Sequence, residues 1–133
     1  MMHYTTEIDI AGIIVRDPIT AITNLAIFAF GIGCYRRLRK EDIEFPNKNW
    51  TFFFLFVAIS SLIGTIVHGF SFYTTPEVHF HIWWLMCVIQ GLGISFAQVG
   101  VGSCVFTKHK SAVGIFVIVQ FLAFAILLYT TRS

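Results

Sequence analysis

Residues 50–70 read "WTFFFLFVAISSLIGTIVHGF". The stretch carries no Asp, Glu, Lys or Arg, and about 20 apolar residues are what an α-helix needs to cross the hydrocarbon core of a bilayer. Its phenylalanines do not alternate with polar residues, and the run is too long for a strand. A helix is therefore expected. Three further stretches qualify in the same way: 18–36 ("PITAITNLAIFAFGIGCYR"), 76–106 and 111–130. The expected fold is all-α, an integral membrane bundle of four transmembrane helices in a single domain over residues 1–133.

The composition agrees. The chain is 56% hydrophobic, with a mean hydropathy of +0.78 and 12% charged residues, against about a quarter charged in soluble domains. A net charge of +2 gives no basis for a nucleic-acid partner. The expected partners are membrane lipid and a second copy or another subunit of a membrane complex, since four spans bury little core alone. Cys34, Cys87 and Cys104 are odd in number and lie in apolar segments, so they form no disulfide framework. The first 18 residues contain acidic groups but no basic n-region, unlike a cleavable signal peptide. No internal repeat is visible.

Helix starts are marked by Asp17 before Pro18, by Thr74 and Glu77 as a capping box around Pro76, and by Asn47 or Asn49 before Trp50. Arg36, Arg37, Arg39 and Lys40 follow the first span, and Lys108 and Lys110 separate the third and fourth. The connection "SFYTTPEV" has no basic residue. Basic loops stay cytoplasmic, which places both termini outside a cell or inner membrane. Tyr35 and Trp50 would mark the inner interface, and Trp83 and Trp84 the outer one.

Polar residues fall in stripes at helical spacing. Asp17, Thr20, Asn24, Gly31 and Cys34 share a face of the first span. Ser61, Gly64, Thr65 and His68 share one on the second, and Trp84, Gly91, Ser95, Gln98 and Gly102 one on the third. Small residues let membrane helices approach closely, so packing is the plain reading for Ser61, Gly64, Gly91, Ser95 and Gly102. Gln120 reads as glue between helices.

His68 stands apart, because an ionisable group within a span is costly and marks a functional candidate. Asp17, His68, Glu77, His79 and His81 all start or finish helices at the outer end. Imidazole and carboxylate groups from three helix ends suit a metal site completed by water. At about 100° per residue, Glu77 and His81 lie beside the Gly91–Ser95 stripe while His79 points with Gln90. That geometry favours His81 over His79 as the partner of His68. As alternatives, Asp17 and Glu77 serve only as helix caps, and His79 and His81 only sit in the headgroup layer.

"DPITAITNL" (17–25) followed by "SSLIGTIVH" (60–68) resembles the first spans of the alkaline ceramidase-like membrane hydrolases. The resemblance maps Asp17 onto the family's acidic position, Asn24 onto its asparagine and His68 onto a zinc histidine. It covers about residues 17–70. The family's serine four positions before that histidine is Gly64 here, its next acid falls near His79, and its later spans with an HxxxH motif have no counterpart. The chain would thus be a half-length or degenerate relative, similar to small bacterial membrane proteins.

Three functions remain open. The first is a small polytopic membrane protein working as an oligomer in transport, channel or assembly roles, with its outer His/Asp/Glu cluster and a polar lining of Asn24, Ser61, Thr65, Glu77 and Gln98. The second is a zinc-dependent hydrolase of a lipid amide or ester. His68 with His81 or His79 would hold the metal, Asp17 would act as base or orienting group, and zinc would activate water. The third is haem binding through His68 and a histidine of the third span.

Overall fold

The computed structural model describes residues 6–41 and 48–131. They form four long helices: α1 (Pro18–Lys40), α2 (Lys48–Gly69), α3 (Pro76–Val105) and α4 (Lys110–Thr130). All four are long and apolar enough to cross a membrane. Short 3₁₀ turns at Ser71–Tyr73 and Thr107–His109 lead into α3 and α4. Each helix packs chiefly on its neighbour in sequence, and α4 rests on α3.

Before α1 the chain folds into a β-hairpin that the helical reading did not anticipate. Strands β1 (Glu7–Ile10) and β2 (Ile13–Arg16) pair antiparallel, with Glu7 opposite Arg16 and Ile10 opposite Ile13. The two-residue turn places Ala11 at φ 54° and Gly12 at φ 88°, the positive pair that a type I′ hairpin turn requires. The Gly12 N–H donates to Asp9 Oδ1 at 2.7 Å. Glycine takes this backbone freely, whereas alanine is strained in it.

The helix starts depart from expectation in informative ways. Pro18 does open α1, but Asp17 makes no side-chain cap and adopts a left-handed backbone, φ 44° and ψ 55°. The hairpin dictates this: the Asp17 N–H is engaged by the Thr6 carbonyl at 2.9 Å. The cap of α3 is Thr75, whose hydroxyl accepts from the Val78 N–H at 3.4 Å. Thr74 instead donates to the Ser71 carbonyl at 3.1 Å and closes the preceding 3₁₀ turn. Glu77 is therefore one position too early for a capping box. Asn47 lies outside the described residues. Asn49 sits within α2, buried, and its amide nitrogen has no partner among the described residues.

Between the helices the seams are built from small residues. Among the described residues no large side chain is fully enclosed, and Ala21, Ala58, Val67 and Val117 are the buried apolar side chains of the core. A Cβ on Gly31 would lie 3.0 Å from Ala58 Cβ, and one on Gly64 would lie 2.8 Å from Asn24 Nδ2. In a bilayer, close backbone approach and dispersion are what hold helices together, because apolar burial gains little there. Thr65 adds a polar clasp: its hydroxyl lies 3.1 Å from the Ser61 carbonyl and 3.4 Å from the Ala21 carbonyl on α1. Thr20, placed by spacing on the same stripe as Asn24, is exposed.

The α3 stripe faces α4. Trp84 packs edge-on against Tyr129 at 5.9 Å. A Cβ on Gly91 would meet the Phe124 ring at 3.0 Å, and one on Gly102 would meet Val113 Cγ1 at 2.6 Å. Phenylalanines also meet between α2 and α3, Phe56 and Phe96 half-buried and Phe52 exposed. Phe96 lies 5.0 Å from Phe52 and stacks on Phe56 at 5.5 Å.

Candidate functional site

Two polar features interrupt the apolar surface. The first is a cleft of about 370 Å³ at the hairpin end, near the low end for small-molecule pockets. Three segments build it. The end of the hairpin contributes Arg16 and Asp17, the last turn of α2 contributes Val67 and His68, and the 3₁₀ turn with the start of α3 contributes Ser71, Thr74, Pro76 and His79.

His68 is half-buried in the last turn of α2. It falls there because Val67, with 3% exposure, and Gly69 face the bundle. Gly69 lies close to Ala21 and Val15; a Cβ there would sit 3.4 Å from Ala21 Cβ. Arg16 is held by Glu7, Nε to Oε1 at 2.6 Å, and its guanidinium lies 5.3 Å from the centre of the Phe72 ring. The cation is fixed at one wall, with about a third of its side chain exposed. Asp17, His68 and His79 have no side-chain hydrogen bond or ion pair among the described residues.

The structure brings Asp17, His68 and His79 around one cavity and leaves His81 outside it. His81 is exposed, its ring 5.6 Å from Phe80. The angular argument for His81 fails because it used the α4-facing stripe as a reference, whereas the cleft lies where the end of α2 meets the start of α3. Glu77 is exposed and outside the cleft. Asn24, Ser61 and Thr65 lie in the α1–α2 seam, where a Cβ on Gly64 would meet Asn24 Nδ2 and the Thr65 hydroxyl donates to the Ser61 carbonyl.

Among the described residues, the donor set falls short of a zinc site. Among the described residues, no three His, Cys, Asp or Glu side chains are placed to hold a metal ion. Structural and catalytic zinc sites need at least three protein ligands, and Asp17, His68 and His79 share a cavity without converging.

The second feature is a groove of about 160 Å³ along the α3–α4 seam, lined by Gly91, Ile94, Ser95, Gln98, Gln120, Phe121 and Phe124. Ser95 satisfies itself by donating to the Gly91 carbonyl at 2.9 Å. Gln98 is half-buried and Gln120 exposed. Neither amide has a hydrogen-bond partner among the described residues.

Spacing alone missed Arg16, Ser71 and Thr74 as cleft residues, because the hairpin that brings Arg16 in was not recognised. Its signal was present: Ile8, Ile10, Ile13 and Val15 alternate around Ala11-Gly12, a pattern for two strands and a two-residue turn.

No curated protein and no solved structure matches the chain. Residues 19–133, which include His68, His79 and both groove glutamines, match the sequence model of a family of unknown function, DUF6962, and the chain belongs to that family.

Proposed function

We propose that this is a multi-pass integral membrane protein that works as an oligomer in a transport, channel or assembly role, with both termini and the cleft on the outer side. The orientation rests on charge. Seven of the nine Lys and Arg residues (Arg36, Arg37, Arg39, Lys40, Lys48, Lys108, Lys110) belong to the loops and helix ends opposite the hairpin, and basic segments stay cytoplasmic. The cleft with Asp17, His68 and His79 then opens outward as a binding site for a small polar molecule.

The observation that carries the oligomer is the pair Gln98 and Gln120 in the α3–α4 groove. Carboxamides without partners in lipid are unfavourable, and a facing helix from another subunit would satisfy them. Each interhelical side-chain hydrogen bond contributes about 0.6 kcal/mol on average, and up to about 1–2.

The test is subunit counting by single-molecule photobleaching in liposomes, for the wild type beside Gln98→Leu, Gln120→Leu and the double variant. Progressive loss of multimers from single to double variant is the expected result. Monomers throughout, or multimers indifferent to both changes, would remove the basis for this reading.

A further inference from the structure

The N-terminal hairpin has two unlike faces. Pairing puts Ile8 opposite Val15 and Ile10 opposite Ile13, so these four share one face; Glu7, Asp9, Ile14 and Arg16 share the other. The apolar face is directed by its innermost residue. Val15 Cγ1 lies 3.8 Å from the position of a Cβ on Gly69, at the end of α2, so this face looks toward the helices.

Away from Val15 the helices stop covering it. Exposure is 45% at Ile8, 59% at Ile10 and 50% at Ile13. The tip therefore leaves uncovered the apolar side that Val15 turns toward the end of α2. What lies beyond the helices there, in a protein that resides in a membrane, is lipid. The neighbouring start of α1 is of the same character, with Ile19 76% and Ile22 68% exposed.

We propose that the hairpin is an interfacial anchor: Ile8, Ile10 and Ile13 enter the acyl-chain boundary of the outer leaflet, and Glu7, Asp9 and Arg16 face the headgroups and water. A large apolar face opposite a charged one is the general requirement for lying in a membrane interface, met here by a strand pair and not a helix. Because Arg16 and Asp17 form one wall of the cleft, the lipid surface becomes the seat on which that wall rests. The hairpin is fastened on its other side by the Ile14 N–H to Tyr73 hydroxyl bond of 2.9 Å. This inference rests on the membrane reading above.

The experiment is site-directed spin labelling in phosphatidylcholine–phosphatidylglycerol liposomes. Cys34, Cys87 and Cys104 are first replaced by alanine, and single cysteines are placed by Asp9→Cys, Ile10→Cys, Ile13→Cys and, as a control on α4, Ile118→Cys. Power saturation compares collisions with oxygen, which partitions into lipid, and with a neutral nickel chelate, which stays in water. The expected result is oxygen-favoured labels at 10, 13 and 118 and a nickel-favoured label at 9. Nickel-favoured labels at 10 and 13 beside an oxygen-favoured 118 would overturn the anchor and leave the membrane reading standing. A nickel-favoured 118 would overturn both. Spin–spin broadening at 10 or 13 would assign the face to a second copy, and overturn the lipid assignment.

Discussion

The Ile14 backbone N–H donates to the Tyr73 hydroxyl at 2.9 Å across 59 positions of sequence, and so ties the hairpin to the turn that starts α3. One phenolic oxygen thus joins two walls of the cleft. Tyr73→Phe removes that acceptor and little else. Net stability should fall by about 0.5–1.5 kcal/mol, with the loss confined to the hairpin. Amide hydrogen exchange is the measurement: Ile14 and its strand partners should exchange faster while the centres of α2 and α3 keep their protection.

The hairpin turn can be improved. Ala11 holds φ 54°, where a left-handed backbone costs an L-residue with Cβ about 1–2 kcal/mol; asparagine tolerates it better and precedes glycine in favoured type I′ turns. Ala11→Asn should slow proteolysis within residues 7–16, and Ala11→Val should speed it. Equal cleavage rates in the three proteins would contradict this account of the turn.

Gly102 is the tightest point of the α3–α4 seam, 2.6 Å from an added Cβ to Val113 Cγ1. Gly102→Ala should lower thermal stability in detergent by about 1–3 kcal/mol, the usual range for overpacking. Adding Val113→Ala makes room for the new methyl, and the double variant should recover part of the loss. Additive losses would show that the two residues do not meet.

Asn49 offers a change in the opposite direction. Its amide nitrogen is buried without a partner among the described residues, beside an apolar cavity of about 250 Å³ lined by Phe96, Val117 and Phe121. An apolar side chain of similar shape there removes an unmet desolvation cost of about 1–3 kcal/mol. Asn49→Leu should therefore raise the melting temperature in detergent. A lower one would show that the amide is satisfied after all.

Metal content separates the remaining chemistry. With no three donors converging among the described residues, elemental analysis of the detergent-purified protein should find well under one zinc per chain. One zinc per chain that disappears in His68→Ala would restore the hydrolase reading with His68 as ligand. Iron at that ratio, with a visible absorption band, would favour the haem reading.

The four helices were legible because each declares itself by length and apolarity alone, properties that tertiary context does not reverse. The α3 stripe of Trp84, Gly91 and Gly102 was legible too, since only small residues or a ring seated against a ring fit a tight helical seam. The cleft was harder to read. Spacing along α3 gives the angle between His79 and His81 but not the direction of α2, and that direction decided for His79. Thr20 shows the same limit: it shares the spacing of Asn24, yet α2 lies on the Ala21 side. Asp17 does hold the N-cap position of α1, but its carboxylate makes no capping bond, because its backbone is set by Thr6, on the far side of a turn that helical periodicity does not address.

Helix α3 has 30 residues, a length of about 45 Å at 1.5 Å per residue, whereas a typical hydrocarbon core is about 30 Å thick. Its companions, of 23, 22 and 21 residues, come to within a few ångströms of that thickness. The surplus belongs to α3 alone, and it is taken up by tilt or by standing proud of the bilayer. The cleft is walled by the end of a helix close to that thickness, α2, and by the start of one that exceeds it, α3. In a bilayer of another thickness the excess length of α3 is what would have to readjust against α2, and His68 and His79 stand on the two sides of that adjustment.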